Sequence, residues 1–299
     1  MDDSSGSSAN STFRSGMVYG LLAYSFWGIV PIYFHALGGW QVNAGEILAN
    51  RIVWALPLLA ALTTLARGWP ALFRVFGNRK LLLTLGMSAV LLSGNWLLYI
   101  YATVTHRVSE ASLGYYMMPL ANAFLATVFL KEKLRPAHYV GLTLIAIGVA
   151  IPLLWGGEGF TPEGDEVPEL PTGGGFPWIA VLLPISFGLY GLVRKQVAVE
   201  AMTGLAVESV LLLPFAAGYM LYLSATGVAR FGSDWDLSRL LMLGGLVTVV
   251  PLVLFAMSVR RLPLLANSFI QFVSPTIQFL IARYWIGEQF GPDRWAAMA

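Results

Sequence analysis

Among the charged residues that fall inside apolar stretches of this sequence, where charge is costly, Arg51 and Glu208 frame the chemistry it could carry. Arg51 stands about 10 Å in from one end of a hydrophobic segment, at 1.5 Å per residue. A guanidinium there can bind an anionic group or pair with a moving carboxylate. Its plainer roles are a structural ion pair, with Glu46 as the near partner, or a head that snorkels to the interface. Glu208 sits about a turn inside a later segment, near the position Arg51 would occupy in an inverted copy. Buried, it could carry a proton; the plainer reading is a solvated carboxylate at a helix end.

Uncharged polar groups form a second set. Asn267, Gln271, Ser274 and Gln278 recur at steps of four, three and four, which lines them up on one helical face. Tyr115, Met118 and Asn122 form the corresponding stripe on an earlier segment, and Asn95 and Tyr99 share a face on another. Amides facing lipid are costly, so these faces turn toward a cavity or toward other helices. The expectation is that Asn95, Tyr99, Tyr115, Asn122, Gln271 and Gln278 line a substrate cavity; the alternative is that they only tie helices together. Pro119 and Pro275 interrupt the two striped segments and are expected hinges, since each removes a backbone hydrogen bond.

Other chemistries have little footing. There is no cysteine, and His35, His106 and His138 are far apart, so neither thiol catalysis nor a metal-ligand spacing is present. No Gly-x-x-x-x-Gly-Lys-Ser/Thr run occurs, which argues against ATP hydrolysis. The reading is of a non-enzyme without catalytic residues, metal or cofactor. A membrane enzyme acting on lipid substrates, which would carry clustered acids or histidines at a membrane face, is the rival, with a channel or regulatory membrane subunit as a third possibility.

The elements that must hold these groups are membrane helices. The 299 residues are 57% hydrophobic and only 11% charged, with a mean hydropathy of +0.69, against about a quarter charged in soluble domains. Nine segments are long and apolar enough to span, at 17–37, 44–66, 80–102, 111–130, 138–155, 177–193, 204–226, 240–259 and 264–286. With the amino terminus inside, 12 Lys and Arg face the cytoplasm and 4 face outward, while Arg51 and Arg283 lie within spans. Trp40, Trp155, Trp178 and Trp285 read as interfacial anchors. The expected partners are the lipid bilayer and a small-molecule substrate, with a coupling proton and a homodimer left open; nucleic acid is not among them.

The chain also repeats itself. A shift of 156 residues lays Ser112, Pro119, Ala126, Glu132 and Pro136 over Ser268, Pro275, Ala282, Glu288 and Pro292, and a similar shift lays Pro57 over Pro214. Five helices per copy is an odd number, so the second copy is upside down, as in many secondary transporters. The predicted layout is a disordered cytoplasmic tail (1–16), a first five-helix repeat (17–155), an acidic extracytoplasmic connector (156–176) and a second repeat (177–299). Residues 294–299 supply only the first turn of a tenth helix, which is expected to be truncated.

Specific runs carry a family resemblance. EILANRIVW at 46–54, NWLLY at 95–99, EASLGY at 110–115 and FLKE at 129–132 resemble the RarD (chloramphenicol-sensitive protein) branch of the EamA family. In the second half Thr248, Pro251, Phe255, Gln271, Pro275, Thr276 and Glu288 fit the same pattern. The resemblance implies the all-α, ten-helix drug/metabolite transporter fold of two inverted five-helix repeats. It further implies a multi-pass protein of the bacterial inner membrane with cytoplasmic termini, exporting or admitting small metabolites or drugs by alternating access.

Overall fold

The computed structural model describes residues 3–104, 108–154, 178–281 and 284–285. In chain order the helices are α1 (Asp3–Gly38), α2 (Ala44–Leu65), α3 (Trp69–Phe76), α4 (Arg79–Val104), α5 (Val108–Phe129) and α6 (Pro136–Leu154). They continue with α7 (Trp178–Gln196), α8 (Ala201–Ala225), α9 (Trp235–Val259), α10 (Leu264–Ile270) and α11 (Val273–Ile281). Among the described residues six stretches are long and apolar enough to cross a bilayer: Ser11–Phe34, Ala44–Leu65, Arg79–Ala102, Trp178–Gln196, Ala201–Ala225 and Trp235–Val259. Large apolar side chains such as Phe215 (77% exposed) and Leu221 (71%) point away from the bundle. Hydrocarbon is the solvent that such a surface needs.

The packing is self-symmetric. Let α1, α2, α4 and α5 exchange with α7, α8, α9 and the pair α10–α11. The contact of α5 with α7 then becomes that of α1 with α10 and α11; α4 with α7 becomes α1 with α9; α2 with α9 becomes α4 with α8. The contact of α2 with α8 maps onto itself, so those two helices lie astride the axis. The chain is an all-α polytopic membrane protein of two inverted repeats.

Three local features depart from the sequence expectation. The helical backbone of α1 begins at Asp3, so residues 3–16, expected as a disordered tail, continue the first helix beyond its apolar run. No proline or glycine pair stops the ladder there, and Ser15 Oγ caps back onto the Thr12 carbonyl. The short α3 was not anticipated. It opens with Pro at its first turn, buries Leu72 and Val75 and leaves Trp69 and Phe73 out, which suits a helix lying along a membrane interface. The expected single helix at 264–286 is broken into α10 and α11 at Gln271 and Phe272. Pro275 is the cause, because it has no N–H for the Gln271 carbonyl and its ring crowds that group. Ser274 N–H takes the Gln271 carbonyl instead, at 3.0 Å. By contrast α5 runs unbroken through Pro119. The expected connector (156–176), Arg283, Glu288 and the start of a tenth helix lie outside the described residues.

Candidate functional site

A cavity of about 40 Å³ lies between α2, α4, α8 and α9. Its wall repeats itself. A shift of 157 carries its α2 residues Leu48, Arg51, Ile52 and Ala55 onto its α8 residues Leu205, Glu208, Ser209 and Leu212. A shift of 156 carries Leu92 and Trp96 of α4 onto Thr248 and Leu252 of α9. Ser93 is the one lining residue without a counterpart in the wall. The cavity therefore sits on the pseudo-two-fold axis, and the two charges expected from the sequence occupy equivalent positions in it. Each stands seven residues, about 10 Å, into a helix. Since α2 and α8 start on opposite faces of the bundle, the guanidinium and the carboxylate sit toward opposite ends.

Arg51 is 1% exposed. Its Nε donates to Thr248 Oγ1 at 2.8 Å, and its guanidinium lies 3.2 Å from the centroid of the Trp96 ring. Gly244 makes room for it: a Cβ there would come within 2.8 Å of Arg51 Cγ and 2.9 Å of the Tyr33 hydroxyl. The cation is held by a π face and a hydroxyl, while Nη1 and Nη2 have no hydrogen-bond partner among the described residues. Glu46 is not its partner. That carboxylate accepts the N–H groups of Arg230 and Phe231 at 2.8 and 2.7 Å and so fixes the loop between α8 and α9. Nor does Arg51 snorkel, since it is enclosed by Trp96 and α9.

Glu208 is also 1% exposed, so the solvated reading fails. Ser88 Oγ donates to its Oε1 at 2.7 Å, and Arg194 Nη1 lies 3.6 Å from the same oxygen. Oε2 has no hydrogen-bond partner among the described residues. Arg194, at 0% exposure, donates from Nη2 to the Ala201 carbonyl at 2.8 Å. Gly204 is what admits it, because a Cβ at that position would run into the guanidinium. Ser88 and Gly244 are themselves equivalent under the 156 shift. Each repeat thus sets a small residue against the other repeat's charge.

Arg194 is a buried charge that the sequence does not announce, since by position it belongs with the Lys and Arg of the cytoplasmic side. The available signal was Glu208 itself, a carboxylate seven residues into an apolar helix and one tight turn after an Arg-Lys pair. The rest of that face is cross-braced. Lys195 Nζ lies 3.7 Å from Glu132 Oε1, which accepts the Leu264 N–H at 3.0 Å. Arg260, just past α9, donates to the Val199 carbonyl. Partial burial, and then the nearby Arg194 cation, pull the Arg260 pKa below the usual guanidinium value.

The six expected cavity residues do not line this space. Asn95 donates from Nδ2 to the Leu183 carbonyl and to Ser186 Oγ, both at 2.9 Å, and so ties α4 to α7. Tyr99 and Tyr115 pack edge to face at 5.8 Å. Gln271 Nε2 reaches the Tyr115 carbonyl at 3.4 Å, bridging the break after α10 to α5. Gln278 is exposed and donates to the Trp27 carbonyl and Ser274 Oγ, both at 3.2 Å. Asn122 is buried beside Gly188, and its Oδ1 has no hydrogen-bond partner among the described residues. Asn95, Gln271 and Gln278 thus each make a hydrogen bond between helical segments.

The model of the EamA-like transporter family matches residues 14–154. The chain is 38% identical to "Protein RarD" of Salmonella typhi over 96% of this chain and 91% of that one. It is 33% identical to an uncharacterized transporter of Bacillus subtilis over 95% and 92%. It is 26% identical to the chloramphenicol-sensitive protein RarD of Pseudomonas aeruginosa over 93% and 88%. A solved crystal structure at 18% identity superposes with a TM-score of 0.65, over 96% of this chain and 95% of that one, a likeness of fold.

Proposed function

The chain belongs to the EamA family of transporters, in the branch of the RarD proteins, and on that premise we propose that it is a secondary carrier of small metabolites or drugs. It works by alternating access across a bacterial inner membrane, with the amino terminus in the cytoplasm. One observation supports this above the rest: the cavity on the pseudo-two-fold axis is lined by equivalent residues of both halves. Inverted halves can exchange conformations, and residues on their shared axis stay in reach of a ligand in both states. At about 40 Å³ the cavity holds two or three waters, well short of the roughly 300 Å³ or more of a ligand pocket. It is the narrow form of a space that the halves widen by rocking apart.

In this reading Arg51 receives the anionic or most electron-rich end of the cargo. Its two unpartnered amino groups offer charge-assisted hydrogen bonds, and Trp96 holds the fork in place. The test is counterflow in proteoliposomes, using radiolabelled chloramphenicol and a panel of small carboxylate-bearing metabolites. Accumulation of label against an excess of the same compound inside is the expected result. Arg51→Gln is expected to lower it at least about tenfold, matching the loss of one or two charge-assisted bonds. Flux of these probes that never shows counterflow would replace the carrier with a channel.

A further inference from the structure

Glu208 has two claims on it. Its Oε1 is the acceptor for Ser88 and the counter-ion for Arg194, while its Oε2 has no donor among the described residues. The same side chain is part of the cavity wall. Arg194 in turn bridges α7 and α8 at the face where the turn between α9 and α10 is braced by Lys195 and Arg260. The carboxylate is therefore shared between the cavity wall and the contact that ties α7 to α8.

We propose that Glu208 is the proton-binding site of this carrier, and that the proton displaces Arg194 as the partner of the carboxylate. This rests on the carrier reading above. A proton that enters by the cavity binds the unpartnered oxygen and leaves it on the return step. Ionised, the carboxylate holds the Arg194 guanidinium and the α7–α8 corner stays shut. Protonated, it has no charge to offer, and Arg194 keeps only the Ala201 carbonyl. A buried cation with a lone carbonyl partner is costly, so the corner opens and the guanidinium moves toward water.

The groups that face Glu208 fit this role. From α7 come Arg194 and the Tyr190 hydroxyl, which has no hydrogen-bond partner among the described residues. From α4 comes Ser88, from α2 Arg51 across the cavity, and from α9 the Thr248 hydroxyl on the cavity wall. Arg260 beyond α9 adds to the positive charge around Arg194. Arg194 is the cation within ion-pair reach of Glu208, and moving it is what the proton can do.

Two measurements test this without any transported compound. Infrared difference spectroscopy of the protein in lipid is expected to show a titrating buried-carboxyl C=O band that Glu208→Gln removes. Glu208→Asp, which keeps a carboxylate, shifts that band and makes the assignment should the amide variant not reach the membrane. The sequence has no cysteine, so Ser209→Cys places a single thiol in the cavity wall. Its labelling by a membrane-impermeant maleimide from the α7–α8 face is expected to be about tenfold faster with Glu208→Gln, and likewise with Arg194→Gln, a modest coupling free energy. A carboxyl band unaltered by either change at Glu208, or labelling unaltered by both partner variants, overturns the proposal. Neither result touches the carrier reading, which stands or falls on counterflow.

Discussion

The two halves build the same wall and put opposite charges in it. In the first, Arg51 is stabilised by the Trp96 face and one hydroxyl, and its outer nitrogens have no hydrogen-bond partner among the described residues. In the second, Glu208 is stabilised by a hydroxyl and a buried cation of its own half. The first arrangement leaves binding capacity free for a ligand, whereas the second commits its charge to a contact within the protein. The same division runs through the proline helices, since α5 continues past Pro119 while Pro275 splits α10 from α11. On the proposed carrier reading, equal topology with unequal local chemistry gives one half that receives the cargo and one half that responds.

The comparison can be broken most severely at the ion pair. Arg194→Leu leaves Glu208 buried without its cation and is expected to lose about 3–5 kcal/mol, read as a lowered unfolding temperature in detergent. Adding Glu208→Leu should restore most of that stability while transport stays absent. Full stability of the single variant would mean that the pair is already open to water. Gly204→Val is expected to mimic this by expelling the guanidinium, at about 1–3 kcal/mol, and Gly244→Val should do the same to Arg51. Equal effects of the two would show that both charges are equally confined.

The hinge contrast gives a smaller effect. Pro275→Ala is expected to rejoin α10 and α11 and slow counterflow several-fold, with spin-label distances across the break reporting the straightening. Pro119→Ala should change those distances little, and a reversed order would assign the moving element to α5. Gln271→Ala is expected to loosen the bridge from the α10–α11 break to α5 and so reduce transport with insertion intact, and a normal rate would show that this bridge takes no part in the cycle. Smallest is Glu132→Gln, which weakens the brace to Lys195 and the α10 cap by about 1 kcal/mol.

Much of this was legible in the sequence because the bilayer imposes a simple rule. Long apolar runs without charge become helices, and α2, α4 and α8 begin or end close to where hydropathy put them. The one-residue-apart shifts that matched Pro57 to Pro214 and Pro119 to Pro275 also carry Arg51 onto Glu208. What escaped was local and three-dimensional. Periodicity put Asn95 and Gln271 on inward faces, but a face can meet a neighbouring helix as easily as a cavity, and Asn95 meets α7. Arg194 looked like one more cytoplasmic charge, because nothing in one dimension shows that Gly204 leaves a guanidinium-sized gap one helix away.

The sequence by itself determined that this chain lives in lipid, repeats itself upside down and carries two charges at equivalent depths. Each of these follows from composition, spacing or chain parity, which need no knowledge of contacts. Only the tertiary structure decided that both charges border one cavity, that two Arg51 nitrogens have no partner among the described residues, and that Glu208 is held by Ser88 and Arg194. Those outcomes depend on which helix faces close on one another, and that is set by side-chain volumes at Gly204, Gly244, Ser88 and Trp96 acting across helices far apart in the chain.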